Sequence, residues 1–167
     1  MSEISNLSDL YIEELKDLWS ANDQMVRALK KISAKATHPK LQEMLEASKS
    51  GISGHTDLLK ALIANQGEKV AKEHCKGMQG LVDEALKHTI EDGPAKGSVL
   101  DAAIIAQYQR MTHYGITGFG TVAAFSAALK LKDDNRQLRA AVKQMYQADE
   151  LMTELAEAAV NEAAAAE

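Results

Sequence analysis

The stretch Asp101-Ala-Ala-Ile-Ile-Ala-Gln-Tyr-Gln-Arg-Met-Thr-His-Tyr-Gly-Ile-Thr-Gly-Phe-Gly-Thr-Val-Ala-Ala-Phe-Ser-Ala-Ala-Leu129 decides the fold. Ile105, Tyr108, Thr112, Gly115, Phe119, Val122, Ser126 and Leu129 recur at alternating spacings of three and four, which puts them on one face of a long helix. A core-facing stripe of this kind is ordinarily apolar from end to end. Here its middle carries Thr112 and Gly115, with His113 beside them, where Leu or Ile would pack best. Helical bundles build their sites in such polar or hollow middles.

Three other segments carry the same signature. The first helix is predicted from near Asn6, capped by Asn6 or Ser8 with Asp9 in its first turn, and its seam runs Leu7, Tyr11, Leu15, Leu18, Asn22, Met25, Leu29, Ile32, Ala36. Only Asn22 interrupts it. Thr37-His38-Pro39 makes a short turn, with Pro39 opening a second helix that ends near Gln66 with Gly67 as a left-handed cap. The inward positions of that helix pass through Ser48, Gly51 and His55, again polar or empty at the centre. A shorter helix is predicted over 69–91, closed by Asp92-Gly93-Pro94. The quoted helix then starts near Ser98, with Ser98 and Asp101 as an N-cap pair. The last helix begins at Asp133 or Asp134, where Asp134 and Gln137 are spaced as a capping box, and its seam includes Leu138, Val142, Met145, Asp149 and Met152. The tail from about Glu157 is rich in Ala and Glu but weakly amphipathic, and fraying is expected there.

The four long helices are each about 28–33 residues, roughly 42–50 Å at 1.5 Å per residue. Short connections make the first and last pairs antiparallel, and the long connection between the pairs carries the shorter helix. The expectation is an all-α fold over 1–167, a single domain: a ferritin-like antiparallel four-helix bundle with an additional crossover helix.

Composition narrows the function. A net charge of −5 with both signs mixed along the helices leaves no basic footprint for nucleic acid. No apolar run approaches the roughly 20 residues needed to span a bilayer, and Met1 to Asn6 has neither the basic nor the apolar part of a signal peptide. A soluble cytoplasmic protein without a membrane partner is expected. A single cysteine, Cys75, excludes an internal disulfide, and a lone thiol beside His74 is read as inert.

At one level the seams align Asn22, Gly51, His55, Thr112, Gly115, Met145 and Asp149. Together with Leu15-Lys-Asp-Leu-Trp-Ser-Ala-Asn-Asp-Gln-Met25, Asp101-Ala-Ala-Ile-Ile-Ala106, His113-Tyr114 and Asp149-Glu-Leu-Met-Thr-Glu-Leu-Ala156, in that order and spacing, this resembles the YciE/YciF family of bacterial ferritin-like proteins over nearly the whole chain. The resemblance implies a di-iron carboxylate site and a role in stress responses. It also implies glutamates at Asn22, Gly51, Thr112, Gly115 and near Gln144 or Met145, and metal-binding partners at His55, His113 and Asp149. This chain keeps His55, His113 and Asp149 and lacks every matching glutamate.

A di-iron centre needs several carboxylates to neutralise and bridge two cations. One carboxylate and two imidazoles fall short of that, although they match a ligand set for a single Fe, Mn or Zn. The reading preferred here has no cofactor. It expects His55 to hydrogen-bond Asp149 across the core, His113 to sit in a helix–helix interface, and Asn22, Gly51, Thr112, Gly115 and Met145 to mark a degenerate site. Gly51, Gly54, Gly115, Gly118 and Gly120 each cost a helix interior about 1 kcal/mol relative to Ala, so they should mark close approaches or room for bulky neighbours. Aromatics and the methionines, with Met25, Met44, Met145 and Met152 as core filler, are expected to occupy that room. The function expected is a stress-associated structural or interaction protein without ferroxidase activity, forming a homodimer to which Tyr11 and Trp19 of the first helix could contribute. The alternative is a metal-dependent oxidoreductase, a ferroxidase or peroxide-consuming enzyme, built on His55, His113 and Asp149.

Overall fold

The computed structural model describes residues 4–167, so Met1 to Glu3, part of the stretch searched for a signal peptide, lie outside it. The helices are α1 (Leu7–Ser33), α2 (Pro39–Asn65), α3 (Lys76–Leu86), α4 (Ser98–Ala128), α5 (Lys132–Leu155) and α6 (Asn161–Ala166). Single π-helical turns at Lys87–Glu91 and Ala156–Val160 extend α3 and join α5 to α6. The expected bundle is present: α1 pairs with α2 and α4 with α5, α1 also packs on α4, and α3 lies against α1 and α4. Around the bundle the order is α1, α2, α5, α4, and the edge between α2 and α5 is the loosest.

Local chemistry sets most boundaries. Asn6 Oδ1 accepts from the Asp9 amide at 3.0 Å, and Lys30 and Lys31 lie in the last turn of α1, where cations complement the helix dipole. Pro39 opens α2 and Gly67, at φ +74°, closes it. Lys130 takes the same left-handed role after α4, at φ +61° and without glycine's freedom.

Four expectations change. The shorter helix starts at Lys76, seven residues late, because the Cys75 backbone is tied to α1: its amide donates to Ser20 Oγ (3.1 Å) and its carbonyl accepts from Gln24 Nε2 (3.0 Å). Asp101 does not cap α4. It turns inward and accepts from the Thr37 amide, the Thr37 hydroxyl and the His38 amide at 2.7, 2.6 and 2.9 Å, stitching α4 to the turn between α1 and α2. Asp134 forms no capping box. It is buried, accepting from the Tyr11 hydroxyl at 3.0 Å and from Gln66 Nε2 at 3.2 Å. The tail is helical to Ala166 rather than frayed, since Ala156 and Val160 are buried and the Glu167 carboxylate accepts from the Ser98 amide (2.9 Å) at the start of α4. That bond holds the Glu167 carboxyl below its usual range.

Two apolar clusters fill the bundle, one at each end. One gathers Leu29, Ile32, Leu41, Leu45, Ile104 and Met78, and the other Tyr11, Leu15, Leu59, Leu62, Phe119 and Leu138. Asn22, His55, Thr112 and Gly115 lie between them along their helices.

Candidate functional site

Between the clusters lies a cavity of about 430 Å³. Asn22 from α1, Gly51 and His55 from α2, Thr112 and Gly115 from α4, and Met145 from α5 all line it, so the structure gathers the residues that the seams align, Asp149 excepted. The methionines do not fill the space as expected. Met25, Met44, Met78, Met111, Met145 and Met152 line its wall, which accounts for every methionine of the chain except Met1. Met78 and Met111 escaped the sequence reading because the crossover helix had no assigned inward face and Met111 stands one position off the seam. Ser48 and Tyr108 satisfy each other on the wall, their hydroxyls 2.8 Å apart. Asn22 Nδ2 and Thr112 Oγ1 have no partner among the described residues, although both residues are more than nine-tenths buried.

His55, His113 and Asp149 do not converge. His55 Nε2 donates to Gln144 Oε1 at 2.8 Å, bridging α2 to α5 at the rim of the cavity. The expected His55–Asp149 bond is therefore absent. Asp149 faces the other way, accepting from His113 Nε2 at 2.8 Å and from Gln109 Nε2 at 3.1 Å across the α4–α5 interface. Helical geometry separates them, because Gln144 and Asp149 are five residues, or about 140°, apart around α5. His113 does lie at a helix–helix interface as expected, but at its outer edge, with its side chain 57% exposed.

Among the described residues no carboxylate lines the cavity. Among the described residues no group of three or more His, Cys, Asp or Glu is placed to hold a metal ion. The donor set does not fit a di-iron centre, for want of charge to balance two cations, nor a single ion on His55, His113 and Asp149.

The five glycines separate sharply. A Cβ on Gly118 would lie 2.4 Å from Leu18 Cδ2, so this glycine permits close packing of α4 on α1. A Cβ on Gly115 would touch Met145 Sδ at 3.4 Å, while Gly51, Gly54 and Gly120 face open space. Tyr11 is fully buried and cannot contribute to a dimer face. Trp19 is partly buried beneath Lys60 and Lys72, whose ammonium groups stand 5.2 and 5.8 Å from the ring centre.

Cys75 is buried, its Sγ accepting from the Met78 amide (3.3 Å) and lying 3.0 Å from the Tyr114 hydroxyl. Burial pushes the thiol above its ordinary pKa, which opposes thiolate chemistry. Burial also raises Tyr114, with further contributions from Cys75 and Asp17.

An all-helical bundle with one long crossover and a methionine-walled cavity where its seams turn polar is the class that fold and site define. The chain belongs to the family described as a domain of unknown function, DUF892, which matches residues 6–165. It is 28% identical to protein YciF of Escherichia coli K12, over 96% of each chain. The crystal structure of the E. coli stress protein YciF superimposes with a TM-score of 0.87, covering 95% of this chain and 99% of that one, at 28% identity. YcfI from Rhodopseudomonas palustris, provisionally described as a structural protein, superimposes with a TM-score of 0.85 at 28% identity, covering 91% of this chain and 96% of that one. Among the described residues no helix is long and apolar enough to cross a membrane.

Proposed function

We propose that this protein is a cytoplasmic, stress-associated structural or binding protein whose interior site does not perform ferroxidase chemistry. The observation that carries the reading is the cavity wall. At the level where a ferritin-like bundle would present bridging glutamates, it offers Asn22, Gly51, Thr112, Gly115 and Met145, with no carboxylate. Neutral amide, hydroxyl and thioether groups cannot offset the charge of two iron ions held side by side between helices. The relatives named as a stress protein and, provisionally, as a structural protein point the same way. Homodimer formation belongs to the same reading. With Tyr11 withdrawn into the core, Tyr146 and Leu151 of α5 are the most exposed large apolar side chains on the described long helices. Light scattering that shows only monomer at tens of micromolar would remove the dimer.

Metal analysis by mass spectrometry on untagged protein, expressed with iron and manganese supplements, tests the central claim. The expected result is far less than one metal per chain, with no acceleration of Fe(II) oxidation by oxygen. About two metals per chain would overturn the reading and restore an oxidoreductase.

A further inference from the structure

We propose that the cavity between the two core clusters is a binding site for a neutral, largely apolar small molecule, aromatic in class, that carries one hydrogen-bond-accepting oxygen such as a ketone or quinone carbonyl. This goes beyond the absence of ferroxidase chemistry and does not depend on it.

Size comes first. At about 430 Å³ the space falls within the roughly 300–1,000 Å³ of small-molecule pockets and far exceeds what a single ion or a few waters would need. The charge of the wall comes next. Among the described residues no Asp, Glu, Lys or Arg lines it, and His55, the one titratable side chain there besides Tyr108, is engaged with Gln144. An ionic ligand would lose its hydration with no counter-charge to replace it, whereas a neutral one would not. Thioethers are flexible and polarisable and make favourable contacts with aromatic rings, so six of them suit a flat apolar guest whose outline the wall must follow.

Two buried polar groups specify the remainder. Asn22 Nδ2 and Thr112 Oγ1 can both donate, both lack a partner, and both residues face this space from adjacent helices. An oxygen acceptor on the guest would satisfy them and fix its orientation, because leaving buried donors unpaired is costly. Access lies along the loose α2–α5 edge, where Gly51 presents no side chain to block the approach.

The test uses the full chain with methionine methyl groups labelled with carbon-13, since six of its seven methionines report directly on the cavity. Three naphthalene derivatives of similar size serve as probes: 1-acetylnaphthalene, 1-ethylnaphthalene and 1-naphthoate. The ketone should shift the cavity methionine signals saturably at one molecule per chain. It should bind at least about tenfold more tightly than the ethyl compound, the effect of even one of the two buried hydrogen bonds, and naphthoate should bind more weakly than the ketone. Asn22→Leu combined with Thr112→Val should abolish the preference for ketone over hydrocarbon. The comparison among probes on the unmodified protein stands even if that variant does not fold. Absence of shifts up to the ketone's solubility overturns the proposal. Equal binding of ketone and hydrocarbon overturns its polar half, and naphthoate binding as tight as the ketone overturns neutrality. Stoichiometric shifts with Ag(I), alongside none with the ketone, would replace it with a soft-cation site. Metal content in these samples is read separately, so failure here is distinct from failure of the proposed function.

Discussion

Asp101 of α4 binds Thr37 twice, through the backbone amide at 2.7 Å and the hydroxyl at 2.6 Å, and so anchors the start of the second helical pair to the turn of the first. The carboxylate is buried and its third bond goes to the His38 amide. Each of its oxygens accepts at least one backbone N–H, so an amide in its place would set NH2 against N–H whichever way it turned. Asp101→Ala should therefore cost about 3 kcal/mol, from lost charge-assisted bonds. Asp101→Asn should cost nearly as much. Urea denaturation of both variants checks this, and an Asn variant within about 0.5 kcal/mol of the parent would contradict the geometry.

Gly118 and Gly54 should respond to alanine in opposite senses, though both lie inside helices. Ala is better than Gly in a helix interior by about 1 kcal/mol, and nothing stands within 4 Å of a Cβ at Gly54. Gly54→Ala should raise stability by about 0.5–1 kcal/mol. At Gly118 the methyl would meet Leu18, itself fully buried, and overpacking of about 1–3 kcal/mol outweighs the helical gain. Gly118→Ala should lower the Tm, and adding Leu18→Ala should show a favourable coupling between the two sites in a double-mutant cycle.

The alkaline limb of stability should carry a contribution from Cys75. Burial raises its pKa in the folded chain, so the folded state holds a proton that the unfolded state releases first. The resulting stability is complete below the unfolded thiol value, about 8.5, and is lost as pH rises through the folded one. Cys75→Ser keeps an acceptor for the Met78 amide but does not titrate in this range. The variant should lose less stability than the parent between about pH 8 and 10, as followed by denaturation midpoints. The same burial predicts that iodoacetamide modifies the native thiol much more slowly than the unfolded one.

The fold was legible because its signals are local. Asn6, Pro39 and Gly67 mark helix ends by capping chemistry, and seams at spacings of three and four mark the inward faces. The level of the cavity was legible too, as the one place where four seams turn polar or small together. What escaped depends on contacts distant in sequence. Lys69 to His74 have ordinary helix-forming composition, yet Ser20 and Gln24 hold the Cys75 backbone where α3 begins. Asp101 and Asp134 occupy cap-like positions, but donors 64 and 123 residues away claim them. His55 and Asp149 share a level of the bundle, but a helix turns about 100° per residue, so a shared level does not ensure that two side chains meet.

His113 and Asp149 form a pair at the edge of the α4–α5 interface, with the imidazole largely in water. Exposed ion pairs contribute about 0–1 kcal/mol, so His113→Ala should lower stability by less than about 1 kcal/mol. It should also leave metal content unchanged. Isothermal titration with Zn(II) on parent and variant reads this directly, and tight one-to-one binding that the variant loses would contradict the geometry.

Thr112 and Asn22 should behave as groups kept at a cost to the empty fold. Thr112 Oγ1 is buried with no partner, and Val has the same shape without the hydroxyl. An unsatisfied buried polar group costs about 1–3 kcal/mol, and Thr and Val differ little in helix propensity. Thr112→Val should therefore raise the stability of the ligand-free protein by about 1 kcal/mol. Asn22→Leu should do the same, since the cavity leaves room for the added apolar volume. In ordinary core positions such gains are uncommon, whereas at binding sites stability is often exchanged for function. Differential scanning calorimetry on both variants decides the matter. A raised Tm in each would place the two side chains in a binding role, and a lowered Tm would mean that they already have partners, water included, in the folded protein.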